Sequence, residues 1–389
     1  MTAKITFFPV DNGDMTLIKL ADKKGTSLLI DCKIRTAADD SKDNTPDVGK
    51  HLRDRINIDE MNRPYVDAML LTHPDEDHCL GLRTHFWLGS IDDYPDDFKP
   101  QNEKRIIIHE LWSSPMVFRR ASKKHVLCDD AKAFNSEVKR RVKVNKESGF
   151  NVADGDRVLI LGEDENGKTD KLQPILIRNG TEFKGINKTA IEYLSSTLIA
   201  PISKQDDESE AILSKNNSSV IISFKIKSNI HSQGISTFLC GGDADVTIWE
   251  RVADEYAPSD LAYDLLLAPH HCSWRSLSHE SWSDKGEDAT VSPKAKKALE
   301  NANYGAFIVS SSKPILDDKN DPPCIRAKRE YREILGTSGI FKCTGEEPNK
   351  LKPKPLDIET TTSGFKIAVV TSSAASVLSC SPPRAGTWK

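Results

Sequence analysis

Thr72-His73-Pro74-Asp75-Glu76-Asp77-His78-Cys79-Leu80-Gly81-Leu82 follows directly on the apolar run Val66-Asp67-Ala68-Met69-Leu70-Leu71. Two imidazoles and three carboxylates fall within six residues at the end of what reads as a buried strand. Such a cluster is costly at the edge of a core unless a cation compensates it. Alternation along an extended segment puts His73, Asp75 and Asp77 on one side, and a turn into a helix brings His78 back to them. That ligand set suits two divalent ions, the arrangement used in metal-assisted phosphoester hydrolysis. An exposed acidic loop with two incidental histidines is the bland alternative.

Two later stretches repeat the pattern. Ile235-Ser236-Thr237-Phe238-Leu239-Cys240 runs into Gly241-Gly242-Asp243, and Asp264-Leu265-Leu266-Leu267-Ala268 runs into Pro269-His270-His271. Three apolar runs therefore each end in ligand-type side chains, which is a weak coincidence for three independent turns. A single carboxylate at Asp243 could bridge two ions, although Gly-Asp is also a common turn.

Working outward, residues 5–10, 15–20 and 27–31 read as strands, with Asp11-Asn12-Gly13-Asp14 as a turn between the first two. Residues 49–56 read as helical, 66–72 and 105–109 as strands, and 129–146 as a helix with Phe134, Val138 and Val142 on one face. Further strands are expected at RVLILG, PILIR, 219–226, 235–240, 264–268 and 305–311, with helices from about 245, over 294–302 and over 324–334. Strand-rich halves flanked by helices predict an α/β protein, a four-layer αββα sandwich of two packed sheets covered outside by helices.

The chain has 389 residues, 38% hydrophobic and 29% charged, with 54 Lys and Arg against 58 Asp and Glu. This is globular composition, and a net charge of −4 excludes a wholly basic nucleic-acid coat protein. Eight cysteines with no C-x-x-C pair argue against zinc ribbons and against a disulfide framework. No secretory leader and no stretch of ~18 apolar residues is read, so the expectation is a cytoplasmic protein without a membrane association.

The hexapeptide and its companions resemble the metallo-β-lactamase superfamily, and more narrowly the branch that contains the hydrolase domain of the DNA-uptake protein ComEC. The resemblance rests on Val10-Asp11-Asn12-Gly13-Asp14, on Ile30-Asp31, on Thr72 through Leu82, on Asn216 to Ser219, on Leu239 to Asp243, and on Pro269-His270-His271-Cys272-Ser273. It covers most of the chain as a single domain, 1–389, with 83–200 the least matched and read as a helical, basic insertion. It implies the metallo-β-lactamase fold and two divalent metal ions, Zn²⁺ or Mn²⁺, with Mg²⁺ also compatible. It further implies His73 and Asp75 on one ion, Asp77 and His78 on the other, Asp243 between them, and His270 or His271 completing the second site. Asp77 or Asp75 would accept the proton of the attacking water. Asp75 stands where most of the superfamily has His, which makes that site more oxygen-rich. The superfamily's middle histidine has no obvious counterpart, and His109 at the end of RIIIH is the candidate. Lys313-Pro314 stands where the branch leads to a further histidine.

Residues 104–146 hold twelve Lys and Arg against four acids, a local +8. Arg119, Arg120, Lys139, Arg140 and Arg141 are the candidates to line a phosphate backbone, with Trp87 and Trp112 available either for stacking on bases or for core packing. The expected activity is a metal-dependent phosphodiesterase, a DNA or RNA nuclease, with nucleic acid as partner. A small-phosphodiester hydrolase (of a cyclic nucleotide or a phosphocholine ester) and a degenerate metal-binding module within a larger complex, alongside protein partners from the same operon, are the alternatives.

Overall fold

The computed structural model describes residues 2–40, 45–123, 126–203, 210, 218–229 and 234–368. The polar stretch 203–218, in which the sequence predicts a loop, lies largely outside these residues, as do Asn216, His231 and Cys380.

Apolar runs without strict alternation form strands buried on both faces. Among the described residues they build two sheets. The first begins with strands Gly364–Ile367, Leu356–Thr361, Lys4–Phe7, Thr16–Lys19 and Ser27–Ile30, each antiparallel to the next. It continues in parallel through Pro64–Leu70, Ile106–Ser113, Arg157–Leu161 and Leu176–Ile177. The second runs antiparallel through Glu182–Lys184, Leu194–Ala200, Ile221–Lys227 and Ile235–Cys240. It then continues in parallel through Tyr263–Leu267, Ala302–Ser310 and Ile340–Cys343.

The alternation within a strand decides the layers. Phe238, Leu265, Leu267 and Val309 pack with Phe7, Ile30, Ala68 and Trp112 between the sheets. Their neighbours Leu239, Leu266 and Ile308 face the other way, onto Trp249, Ala298 and Tyr331 of the outer helices. On the far side of the first sheet, Leu29, Val66 and Leu111 meet Leu52, Leu82, Phe134 and Val138. This is the expected αββα arrangement.

Several expectations shift in detail. The turn at Asp11–Asp14 lies in a longer connection between strands ending at Phe7 and beginning at Thr16, not in a tight hairpin. The strand begun at Ile106 runs on to Ser113, so His109 lies in its middle and not at its end. Residues 83–200 supply strands to both sheets, and their helices turn much of their charge inward. Trp112 is fully buried between the sheets, its indole N–H donating to Glu110 at 2.7 Å, while Trp87 lies under the Arg105 guanidinium, 4.6 Å away.

Candidate metal centre

The parallel strands Pro64–Leu70, Ile235–Cys240 and Tyr263–Leu267 deliver the three ligand-bearing segments from their C-terminal ends, the place where α/β sheets present functional groups. The two sheets are joined there, because the Val220 N–H donates to the Thr72 carbonyl at 3.0 Å. Gly242 makes the close approach available: it sits at φ +47°, and a Cβ there would meet Ser219 Oγ and Thr72 Oγ1 at 2.9 Å. The Asp243 N–H then donates to Ser219 Oγ at 3.1 Å, which fixes the carboxylate in the interior.

Asp243 is the hub. Its Oδ1 lies 3.2 Å from His78 Nε2, and its Oδ2 lies 3.5 Å from His73 Nε2, 3.5 Å from His271 Nε2 and 3.7 Å from His270 Nε2. Asp75 joins on the His73 side at 3.9 Å, and Asp77 on the His271 side at 3.3 Å. Asp14 completes the cluster, 3.6 Å from His271 Nδ1 and 3.9 Å from His78 Nδ1. Asp14, His78, Asp243 and His271 each offer a ligand atom within 4.8 Å of the others, and all four are buried. Both histidines of the 270–271 pair therefore face the cluster: His270 keeps company with His73, and His271 with His78 and Asp77. Asp77 is the most open member, with 35% of its side chain exposed, and marks the mouth of the site.

The donor chemistry fits divalent cations. His73 Nε2, His78 Nε2, both ring nitrogens of His271, His270 Nδ1, Asp14 Oδ1 and Asp243 Oδ1 are buried without a hydrogen-bond partner. Orphaned polar atoms at this density are expensive unless something else binds their lone pairs. Two ligands each about 2.1 Å from one ion lie roughly 3.0–3.4 Å apart, close to the separations around Asp243. Mixed imidazole and carboxylate donors suit Zn²⁺ and Mn²⁺ better than Mg²⁺. Electrostatics agree in direction. Burial opposes the charge on Asp243, yet the four surrounding imidazoles hold its carboxyl well below its ordinary range. Burial likewise opposes protonation of His78 and His271, and the carboxylates overcome it, raising both well above the usual imidazole range. Protons and divalent cations compete for these same lone pairs.

Outer groups set the imidazoles. Asp31 accepts from the Thr72 N–H at 2.7 Å and from the Thr72 hydroxyl at 2.6 Å, and its Oδ2 lies 2.8 Å from His78 Nδ1. That contact holds the His78 ring so that Nε2 turns toward Asp243. His270, His271 and Cys272 all have positive φ, +50°, +53° and +66°. Left-handed backbone costs non-glycine residues roughly 1–2 kcal/mol each, and a run of three points to a functional demand. Asp14 and Asp31 were missed as functional residues by sequence reasoning. The only signal for them was their presence in the Val10–Asp14 and Ile30-Asp31 patterns, which assigned no role.

His109 is elsewhere. It stacks on Tyr65 with ring centres 4.4 Å apart, and its Nδ1 lies 3.6 Å from Asp154. Strand pairing explains this: Val66 is level with Ile108 and Ala68 with Glu110, so His109 sits well short of the strand end that carries His73. The structure therefore does not bring His109 to the cluster as the expected middle histidine.

The basic stretch is also corrected. Arg120 is fully buried and donates to both Glu210 oxygens at 2.9 Å, to Ser218 and to the Ile202 carbonyl. Arg119 pairs with Asp164 and Glu210. Arg141, buried, pairs with Glu137 at 2.8 Å and donates to the carbonyls of Ile108, His109 and Arg157. Arg140 pairs with Glu137 and Asp156. These four guanidinium groups are committed to the protein itself; of the five candidates only Lys139 is exposed.

No protein-family model matches the sequence, and no curated protein matches it. Several solved structures are similar in outline, among them the following three. One is Igni18, a metallo hydrolase from the hyperthermophilic archaeon Ignicoccus hospitalis, at 10% identity over 93% of this chain and 100% of that one, with a TM-score of 0.35. The second is a diphosphatase of the PhnP family, at 12% identity over 92% and 98%, with a TM-score of 0.35. The third is an RNase Z of the long form from yeast, at 12% identity over 87% of this chain and 43% of that one, also at 0.35. At such TM-scores these likenesses decide neither fold nor chemistry, which rest on the sheets and side chains described above.

Proposed function

We propose that the chain is a metal-dependent hydrolase of phosphodiester bonds, of the metallo-β-lactamase type and nearest its ComEC-like branch, with DNA or RNA as substrate. One observation carries the reading: the side chains of His73, His78, His270, His271, Asp14 and Asp243 converge, and seven of their buried nitrogen and oxygen atoms have no hydrogen-bond partner. His73, Asp75 and His270 would hold one ion, and Asp14, Asp77, His78 and His271 the other, with Asp243 common to both. Ions bound there lower the pKa of water and stabilise charge developing on a phosphoryl oxygen. Asp31 and Thr72 orient the imidazoles. The Asp77 carboxyl is held below its usual range: burial opposes this, but the His271 ring 3.3 Å away and the charge of His78 prevail. Asp77 therefore stays ionised as a ligand and is a poor proton acceptor. Asp75, on the His73 side of the cluster, is the other candidate to take the proton of an attacking water.

With Arg119, Arg120, Arg140 and Arg141 paired internally, further cations for an anionic substrate lie beside the Asp11–Asp14 loop. Lys33 stretches across Gly13 beside the Asp77 carbonyl: a Cβ on Gly13, at φ +150°, would meet Lys33 Cδ at 2.4 Å and Asp77 O at 2.6 Å. Its ammonium donates to the Asn12 carbonyl, and Arg35 pairs with Asp11 on the same loop. Exposed Lys313 meets that loop too, its N–H donating to Asn12 Oδ1 at 3.1 Å. A hollow of about 760 Å³ opens beside it, lined by Asp11, Asn12, Lys313, Asp318, Asp321 and Lys350 among others. The second reading is a small phosphodiester such as a cyclic nucleotide, for which a hollow of that size has room.

The test is hydrolysis of single-stranded DNA, RNA, a cyclic nucleotide and bis(p-nitrophenyl) phosphate with Mn²⁺, Zn²⁺ or Mg²⁺, comparing the wild type with His73→Ala and Asp243→Asn. Cleavage that needs the metal and is lost in both variants supports the reading. Activity that survives both substitutions, or no turnover of any of the four with any ion, overturns it. Turnover of the small diesters without the polymers selects the second reading.

A further inference from the structure

Cys79 follows His78 directly and buries its sulfur against a residue 49 positions away. Its Sγ lies 3.5 Å from Cys128 Sγ, and both thiols are free. Cys128 occupies the N-cap of helix Asp129–Glu147, where its Sγ accepts from the Ala131 N–H at 3.4 Å. Oxygen side chains usually fill that position, because a neutral thiol is a weak acceptor. A thiolate is a strong one, and the positive end of a nineteen-residue helix favours it. The hydrogen bond from Cys79 and the backbone N–H groups, working against burial, pull the Cys128 thiol down to about 6. Cys128 is half-buried, and Val126 just before it is 91% exposed, so solvent reaches the segment. The other described cysteines, at 32, 240, 272, 324 and 343, are buried.

We propose that Cys79 and Cys128 are a peroxide-reactive dithiol that closes into a disulfide, tying the hexapeptide turn to the start of the 129–147 helix. The Cys128 thiolate attacks one oxygen of hydrogen peroxide, giving a sulfenic acid and hydroxide, which takes up a proton to become water. The Cys79 sulfur then attacks the Cys128 sulfur; the S–S bond forms, the S–O bond breaks, and the second oxygen leaves as water with the Cys79 proton. Two thiols lose two electrons and one peroxide becomes two waters. The sulfurs need to close by about 1.5 Å to reach disulfide length. The inference rests on two sulfurs and a helix end, and stands apart from the metal-site reading.

The experiment treats the full-length chain, in chelator-washed buffer, with one equivalent of hydrogen peroxide, blocks remaining thiols with N-ethylmaleimide after unfolding, and maps peptides by mass. The expected result is a linked pair of peptides carrying Cys79 and Cys128, loss of maleimide at both, and full labelling restored by dithiothreitol. Dimedone is expected to trap Cys128 in Cys79→Ser, and nothing at Cys79 in Cys128→Ser. Maleimide on both residues after peroxide, or a bridge from Cys128 to Cys32 in place of Cys79, overturns the proposal. The wild-type map decides by itself should either variant fail to fold.

Discussion

Two regions bury opposite charges side by side, and they do it differently. Around Arg120 and Arg141 almost every polar group has a partner: Glu210, Glu137, Ser218 and a series of carbonyls. Around Asp243 the charges are just as close, but ring nitrogens and carboxylate oxygens point at one another without closing a hydrogen bond. Saturated charge is architecture, whereas unsaturated charge, held there by strained backbone at 270–272, is a site.

Substitutions can break that contrast. Asp243→Asn removes the shared carboxylate; hydrolysis is expected to fall on the order of 10³-fold or more, several kcal/mol of lost charge stabilisation, with the circular-dichroism spectrum retained. Glu137→Ala should do the reverse. It strands buried Arg141 and is expected to cost about 3–5 kcal/mol in urea unfolding, while metal content per folded chain stays unchanged. A loss of metal there would show that the two regions are not separate.

Asp31→Asn probes the border between them, since Asp31 holds His78 without belonging to the cluster. Metal affinity, read by competition with a chromophoric chelator, should weaken roughly 10–100-fold. Unchanged affinity would remove Asp31 from the account.

Glu210 sharpens the structural side by pH. Burial opposes its ionisation, yet Arg120 and Arg119 hold its carboxyl down to about 2. Because the folded value lies below the unfolded one, near 4.3, the stabilisation is complete above that pH and disappears as pH falls toward 2. The unfolding gap between wild type and Glu210→Gln should therefore be widest near neutrality and narrow through this window. A gap independent of pH would contradict the pairing. The smallest effect is expected from exposed Lys139→Glu: within about 0.5 kcal/mol on stability. Lys313→Glu beside the hollow should instead raise KM for an anionic substrate. If Lys139→Glu proves the more damaging of the two, the substrate lies along the 129–147 helix after all.

Much of this was legible in the sequence. Unbroken apolar runs gave the central strands, and three of them ending in His or Asp gave seven of the cluster's eight side chains. What escaped was decided by distance along the chain. Nothing local tells Asp14 apart from any other turn aspartate, and only the fold brings it to His271. His109 read as the end of an isoleucine run because Glu110 follows it, although the strand continues through Leu111 and Trp112. The arginine doublets announced positive charge but not its direction, since the partner of Arg120 lies ninety residues further on.

The most direct measurement is the metal content of the purified chain after equilibration with Zn²⁺ or Mn²⁺ and desalting, by inductively coupled plasma mass spectrometry, beside Asp243→Asn. Retention of about two ions per wild-type chain, with most of them lost in the folded variant, is the expected result. A wild-type chain that holds no ion, or a variant that holds as many, would contradict the account.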